Sequence, residues 1–170
     1  METEPQEIVE SWYKLAEKRQ LGEPELDNIF LRFVAIWMAF NGFYTEWYTA
    51  EFNKLQGDRK QVIAFSKNVE NSKRHVRWMR ADRDYRSAVH ILKEKEVFDS
   101  RENNRVRRIE NELDLEQVLL CVYLVRCNLF HGGKTPTNPR DENLVAASHT
   151  LVSRFVETYL ENEGDAKWLP

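Results

Sequence analysis

Glycine and proline are scarce in this chain, six and five among 170 residues. That leaves little material for the many tight reversals of an all-β fold. Cysteine is scarcer still, with Cys121 and Cys127 the only two. They fall in one expected helix, where six residues of rise separate their Cα atoms by roughly 9 Å, too far for a disulfide. Neither belongs to a Cys-x-x-Cys pair or another metal-ligand spacing, so a reducing cytoplasm is the expected compartment. No apolar run approaches the roughly 20 residues of a membrane span, and no membrane association is expected. The N-terminus is acidic and lacks the basic-then-apolar order of a signal peptide. Also missing are a Walker-type glycine loop, a G-x-S-x-G elbow and H-E-x-x-H, which removes the enzyme classes built on them. His75, His90 and His149 are scattered without carboxylate or cysteine at ligand spacing, so neither a metal site nor a cofactor is expected.

What remains is hydrophobic and charged, 42% and 31% of residues. That balance fits one globular domain over residues 1–170, with a core at about 5–163 and a tail at 164–170. The net charge of −3 hides an asymmetry. Residues 59–108 hold fifteen Lys/Arg against seven Asp/Glu, a balance of +8, while the rest of the chain carries ten against twenty-one. Such a division can mark an anion-binding face on an acidic protein, or a solvated helical surface laced with pairs such as Glu70–Arg74 and Asp82–Arg86.

Apolar spacing is helical almost throughout, and the expected fold is an all-α, up-and-down bundle of four main helices with accessory ones. A first amphipathic helix over 5–19 places Ile8, Trp12 and Leu15 on one side. The strongest stripe runs from about 24 to 48, through Leu26, Phe30, Phe33, Trp37, Phe40, Tyr44 and Trp47, and is widened by Ile29, Ile36 and Phe43. Pro24 suits its first turn, and the acids at 23, 25 and 27 suit its dipole. Another helix starts after Gly57, with Asp58 and Gln61 at capping-box spacing and Val62, Phe65 and Val69 facing inward. A further one covers 79–97, with Tyr85, Val89 and Leu92 inside. Residues 99–112 read as a polar connection or a short exposed helix. Asp114 and Gln117 repeat the capping signature before an apolar helix that ends at Gly132-Gly133. Asn138 and Pro139 open the last helix, whose stripe is Leu144, Ser148, Leu151, Phe155 and Tyr159.

Chemistry concentrates where the greasy run Val118–Val125 gives way to Arg126-Cys-Asn128-Leu-Phe130-His131. Arginine is a permanent cation with forked donors suited to phosphate, and histidine exchanges protons near neutral pH. RNA cleavage by the 2′-hydroxyl needs that hydroxyl deprotonated, the 5′-oxygen protonated and the charge on phosphorus stabilised. His131 is the candidate acid or base, Arg126 the phosphate holder, and Asn128 the group that orients ribose or phosphate. On an ideal helix Arg126 and His131 are about 140° apart, so they converge only if the arginine reaches along the axis or the helix ends near His131. One helix also supplies one histidine. A two-fold homodimer through this helix would supply two of each group, with Leu129 and Phe130 at the interface.

Other residues carry weaker expectations. Asn41 would bond Arg126 or a nucleotide, or satisfy backbone groups where Gly42 loosens its helix. Lys134 would meet phosphate near the dimer cleft. Arg74 and Arg77 begin a row repeated at 80, 83 and 86, which could track a phosphate backbone. Arg105, Arg107 and Arg108 could wrap an RNA strand or stay solvated. Trp37 and Tyr44 read as core rather than as base-stacking surfaces.

Arg-x-x-x-x-His at the end of an apolar helix, followed by glycine, resembles the HEPN (higher eukaryotes and prokaryotes nucleotide-binding) superfamily. The segment Phe33-Val-Ala-Ile-Trp37-Met-Ala-Phe40-Asn41-Gly-Phe-Tyr44 is similar to the Trp-x-x-Phe-Asn stretch of several HEPN branches. The resemblance spans about residues 24–160. It implies an all-α metal-independent endoribonuclease of toxin–antitoxin, phage-defence or RNA-processing type, acting on RNA in a dimer cleft, with an antitoxin or effector as a further partner. Arg126 and His131 would be the catalytic pair. Active members often carry Asn, Asp or His directly after the arginine, whereas this chain has Cys127 there and Asn128 one place later. Two other readings stand beside this one: a binding module in which Arg126 pairs with a buried carboxylate, and a helical adaptor.

Overall fold

The computed structural model describes residues 5–17, 28–54, 56–99, 105–130 and 138–161. Among them the chain is an all-α bundle of seven helices with one small antiparallel hairpin. The helices are α1 (Pro5–Glu17), α2 (Ile29–Phe52), α3 (Asp58–Lys67), α4 (Val69–Ala81), α5 (Arg83–Glu94), α6 (Leu115–Phe130) and α7 (Pro139–Glu161). The hairpin pairs β1 (Val97–Asp99) with β2 (Arg105–Arg107), Phe98 opposite Val106. Among the described residues, no helix is long and apolar enough to cross a membrane.

The core is built on α2, which is apolar around most of its circumference. Phe33, Ile36, Trp37, Phe40, Phe43 and Tyr44 are all buried. Phe40 and Phe65 meet edge-on at 5.4 Å, Phe65 and Phe155 at 5.4 Å, and Tyr159 lies 4.5 Å from Phe43. One aromatic cluster therefore ties α2, α3 and α7 together, each buried ring contributing about 1.5–3 kcal/mol. The contacts Phe40–Phe155 and Phe43–Tyr159 set α7 alongside α2 in the same direction.

Several expectations change in detail. The cap of α2 is Asn28, whose side chain accepts the Phe30 N–H at 2.8 Å, and Leu26 and the acids proposed for its first turn lie outside the described residues. In α1 Val9 and Ala16 are buried and Trp12 packs against the core as expected, while Ile8 is exposed, because the helix packs by Val9 against Gly42. A Cβ at Gly42 would sit 3.2 Å from the Val9 side chain, so this glycine admits a neighbouring helix; it does not loosen its own, which runs unbroken.

The basic half of the chain holds three short helices in place of two longer ones. Asn68 closes α3 through its N–H to Phe65 O and opens α4 by accepting the Glu70 and Asn71 N–H groups. Asp82 likewise closes α4 and caps α5 through the Asp84 and Tyr85 N–H groups. Val69, expected inside, becomes the first residue of α4 and is exposed. The expected ion pairs gain other partners too. Glu70 bonds Lys73 while still attracting Arg74, and Asp82 bonds Arg154 at 2.8 Å. Arg86 instead turns back onto the Met79 and Arg80 carbonyls at the end of α4. The helix expected to reach 97 ends at Glu94, and a hairpin takes up its last residues and the start of the stretch read as polar connection, 99–112; its buried–exposed–buried strand β1 is too short to register as a period of two. The caps at Asp114 and Asn138 and the whole stripe of α7 are where the sequence puts them.

Candidate functional site

Arg126 lies just before the last turn of α6, after a run from Val118 to Val125 whose residues are almost all buried. Its side chain is 23% exposed. The guanidinium carbon stands 4.8 Å from the Phe130 ring centre and 5.7 Å from that of Trp37, so two aromatic faces steady it. The Asp58 carboxylate approaches Nη2 at 3.6 Å, longer than the 2.7–2.9 Å of a charge-assisted hydrogen bond. Nη1 has the Cys127 sulfur at 3.9 Å, and Nε is buried with no partner among the described residues. Among the described residues, Arg126 has no partner at normal charge-assisted hydrogen-bond distance.

Asp58 reaches this position because it does not cap α3. Gly57 takes the cap with an extended backbone, φ −65° and ψ 147°, which makes Asp58 the first helical residue and frees its carboxylate. That carboxylate also accepts from the Asn41 amide at 3.2 Å, and the same amide donates to the Tyr44 hydroxyl. Asn41 of α2 and Arg126 of α6 thus meet through a shared carboxylate. Burial, and then the charge of Asp58, push the Tyr44 phenol above its ordinary value, so it stays a neutral donor and acceptor.

A cavity of about 520 Å³ opens at this point, lined by Gly57, Asp58, Arg59, Lys60, Tyr123 and Arg126. Three cations and one carboxylate give it a positive balance, to which the first turn of α3 adds its dipole. Arg59 also pairs at 3.6 Å with Asp99 of β1, which is buried, so a lining residue of the cavity is tied to the hairpin.

The remaining expected site residues divide. His131 and Lys134 lie outside the described residues, His131 directly after Phe130. Asn128 does not line the cavity. It is buried two positions past Arg126, about 200° around the helix, and donates to the Phe98 carbonyl at 2.8 Å. Its position fastens the hairpin to α6. Cys127 is buried as well, so whatever side chain stands directly after the arginine faces protein in this fold. Arg74 and Arg77 belong to α4, which meets the chain near Glu112, where His75 Nε2 lies 2.7 Å from the carbonyl. That is the far end of α6, roughly 20 Å along its axis from Arg126. Arg74 lies 3.4 Å from the Asn71 amide oxygen, and the break at Asp82 interrupts the arginine row. Trp37 and Tyr44 are core residues. Asp58, Arg59, Lys60 and Tyr123 were missed as lining residues. Gly57, an acceptable cap directly before an acid, is the signal that could have exposed Asp58.

The fold and site define an all-α bundle with a basic, aromatic-walled cavity at the end of its apolar helix. Compared with protein families, with curated proteins and with solved structures, the chain matches none.

Proposed function

We propose that this protein is a metal-independent endoribonuclease of HEPN type, holding an RNA phosphodiester on Arg126 and moving protons through His131 at a two-fold dimer interface. The observation that carries this reading is the condition of Arg126. A guanidinium fixed between two rings, facing a basic cavity and held by its partners among the described residues only at 3.6 Å and beyond, is suited to an oxyanion. In the reaction the ribose 2′-oxygen attacks phosphorus and the bond from phosphorus to the 5′-oxygen breaks. The proton lost by the 2′-hydroxyl passes to a base, and the leaving oxygen gains one from an acid. The products are a 2′,3′-cyclic phosphate and a 5′-hydroxyl. One His131 from each protomer would fill the two proton-transfer roles, in an RNA-directed toxin or defence component.

A second reading keeps the cavity without the chemistry. Asp58 beside Arg126, and Asn128 turned into the protein, fit a module that binds nucleotide, RNA or protein and cuts nothing.

Cleavage of mixed cellular RNA in EDTA decides between them. Wild type should generate cyclic-phosphate ends, with a rate per protomer that falls once dilution dissociates the dimer. His131→Ala and Arg126→Ala should lose at least about 100-fold, the scale of one acid–base or oxyanion contribution. Undiminished cutting by His131→Ala would remove the proposal.

A further inference from the structure

Phe98 is 38% exposed although it sits between buried neighbours, because the pleat of β1 turns Val97 and Asp99 inward and its ring outward. The Arg140 guanidinium lies over that ring at 5.6 Å and is anchored by a hydrogen bond to the Glu96 carbonyl. Arg140 is in the first turn of α7, beside Asp141 and Glu142, which offset the helix dipole's effect on a cation there. The pair repeats a pattern a short distance away. Phe130, 49% exposed, carries Arg126 over its ring at 4.8 Å. The hydrogen bond from Asn128 to the Phe98 carbonyl and the Arg59–Asp99 pair fix β1 against α6 and against the cavity wall. Two exposed rings, each with a fixed guanidinium, therefore flank the end of α6.

We propose that Phe98 and Arg140 form a second nucleotide subsite, the ring stacking on an unpaired base and the guanidinium meeting its phosphate. The ligand is single-stranded RNA. A base inside a duplex has no free face to offer a protruding ring, whereas an unpaired base stacks on any aromatic surface. The Arg140 guanidinium over the ring favours an anionic strand over an apolar protein partner; Arg108 is paired with Glu96, and Arg107 lies on the other face of the hairpin, opposite Val97. The inference rests on reading the end of α6 as an RNA site.

The test uses full-length protein carrying His131→Ala, so that bound RNA is not cut, with a labelled 12-nucleotide single strand and the matching duplex as probes. In fluorescence anisotropy Phe98→Leu should weaken single-strand binding about 10-fold, within the range for one lost base stack, and leave duplex binding unchanged. Phe98→Trp should bind like its parent. Arg140→Gln should lower the salt dependence of single-strand binding by about 0.7 in the log–log slope. Photo-crosslinking of a 5-iodouridine strand to the parent should label the peptide containing Phe98, whatever the stability of the variants. Parent-like binding by Phe98→Leu together with no label at Phe98 would overturn the subsite, and so would an altered oligomeric state with unaltered RNA affinity, which would make the ring a protein interface. If the Phe98 effects appear while wild type fails to cleave RNA, the nuclease reading falls and the subsite stands.

Discussion

Asp58 and Gly57 differ in which of them caps α3, and that choice sets the charge at the candidate site. With glycine as cap the carboxylate is released toward Asn41 and Arg126; as a cap it would have been spent on backbone N–H groups. At 3.6 Å it occupies the side of Arg126 that a phosphate oxygen would use. Asp58→Asn keeps the acceptor for Asn41 and removes the charge. It should raise affinity for single-stranded RNA about 3- to 10-fold, as one lost competitor for a cation would. The cost should be about 0.5 kcal/mol, because an acid in the first turn of a helix is favourable. Titration by anisotropy and a thermal melt read both effects; an unchanged affinity would mean that Arg126 does not bind the RNA.

Helices α3, α4 and α5 show where the sequence could be read and where it could not. The stripe of α2 and the apolar run of α6 were legible because they repeat over many turns, and the caps at Asp114 and Asn138 because nothing competes with them. The breaks at Asn68 and Asp82 were not, since each residue ends one helix and starts the next without glycine or proline to announce it, in a stretch polar on both sides. Arg126 was legible as a charge where none belongs. Its neighbours Asp58, Arg59 and Lys60 were not, because a distant helix brings them. Asp82 also carries the pair with Arg154; against the effect of burial, the Tyr85 N–H and that guanidinium hold its carboxyl below the ordinary range. Asp82→Ala should therefore cost about 1–2 kcal/mol, mostly the lost cap, read as a lower urea midpoint at unchanged slope.

Across the whole molecule, stability should respond to mild acid through His75. This buried ring joins three parts of the bundle, with Nδ1 2.9 Å from the Tyr85 hydroxyl and Nε2 2.7 Å from the Glu112 carbonyl. Burial holds its pKa below the ordinary value of about 6.5, so the unfolded chain takes up the proton first. The associated stability is complete above about pH 6.5 and declines as pH falls from there toward the lowered folded value, by at most about 1.4 kcal/mol per pH unit. Urea midpoints between pH 7.5 and 5.5 should fall in wild type and fall less in His75→Gln. Equal slopes in the two proteins would assign the effect elsewhere.

The double use of Asn68 and Asp82 has one more consequence. A helix advances 100° per residue, and no spare peptide separates α3 from α4 or α4 from α5 to absorb an offset. One codon added or lost between residues 58 and 94 would swing every later side chain in that helix off its face, His75 and Tyr85 among them. Over this stretch the gene can drift by substitution, while changes of length are closed to it.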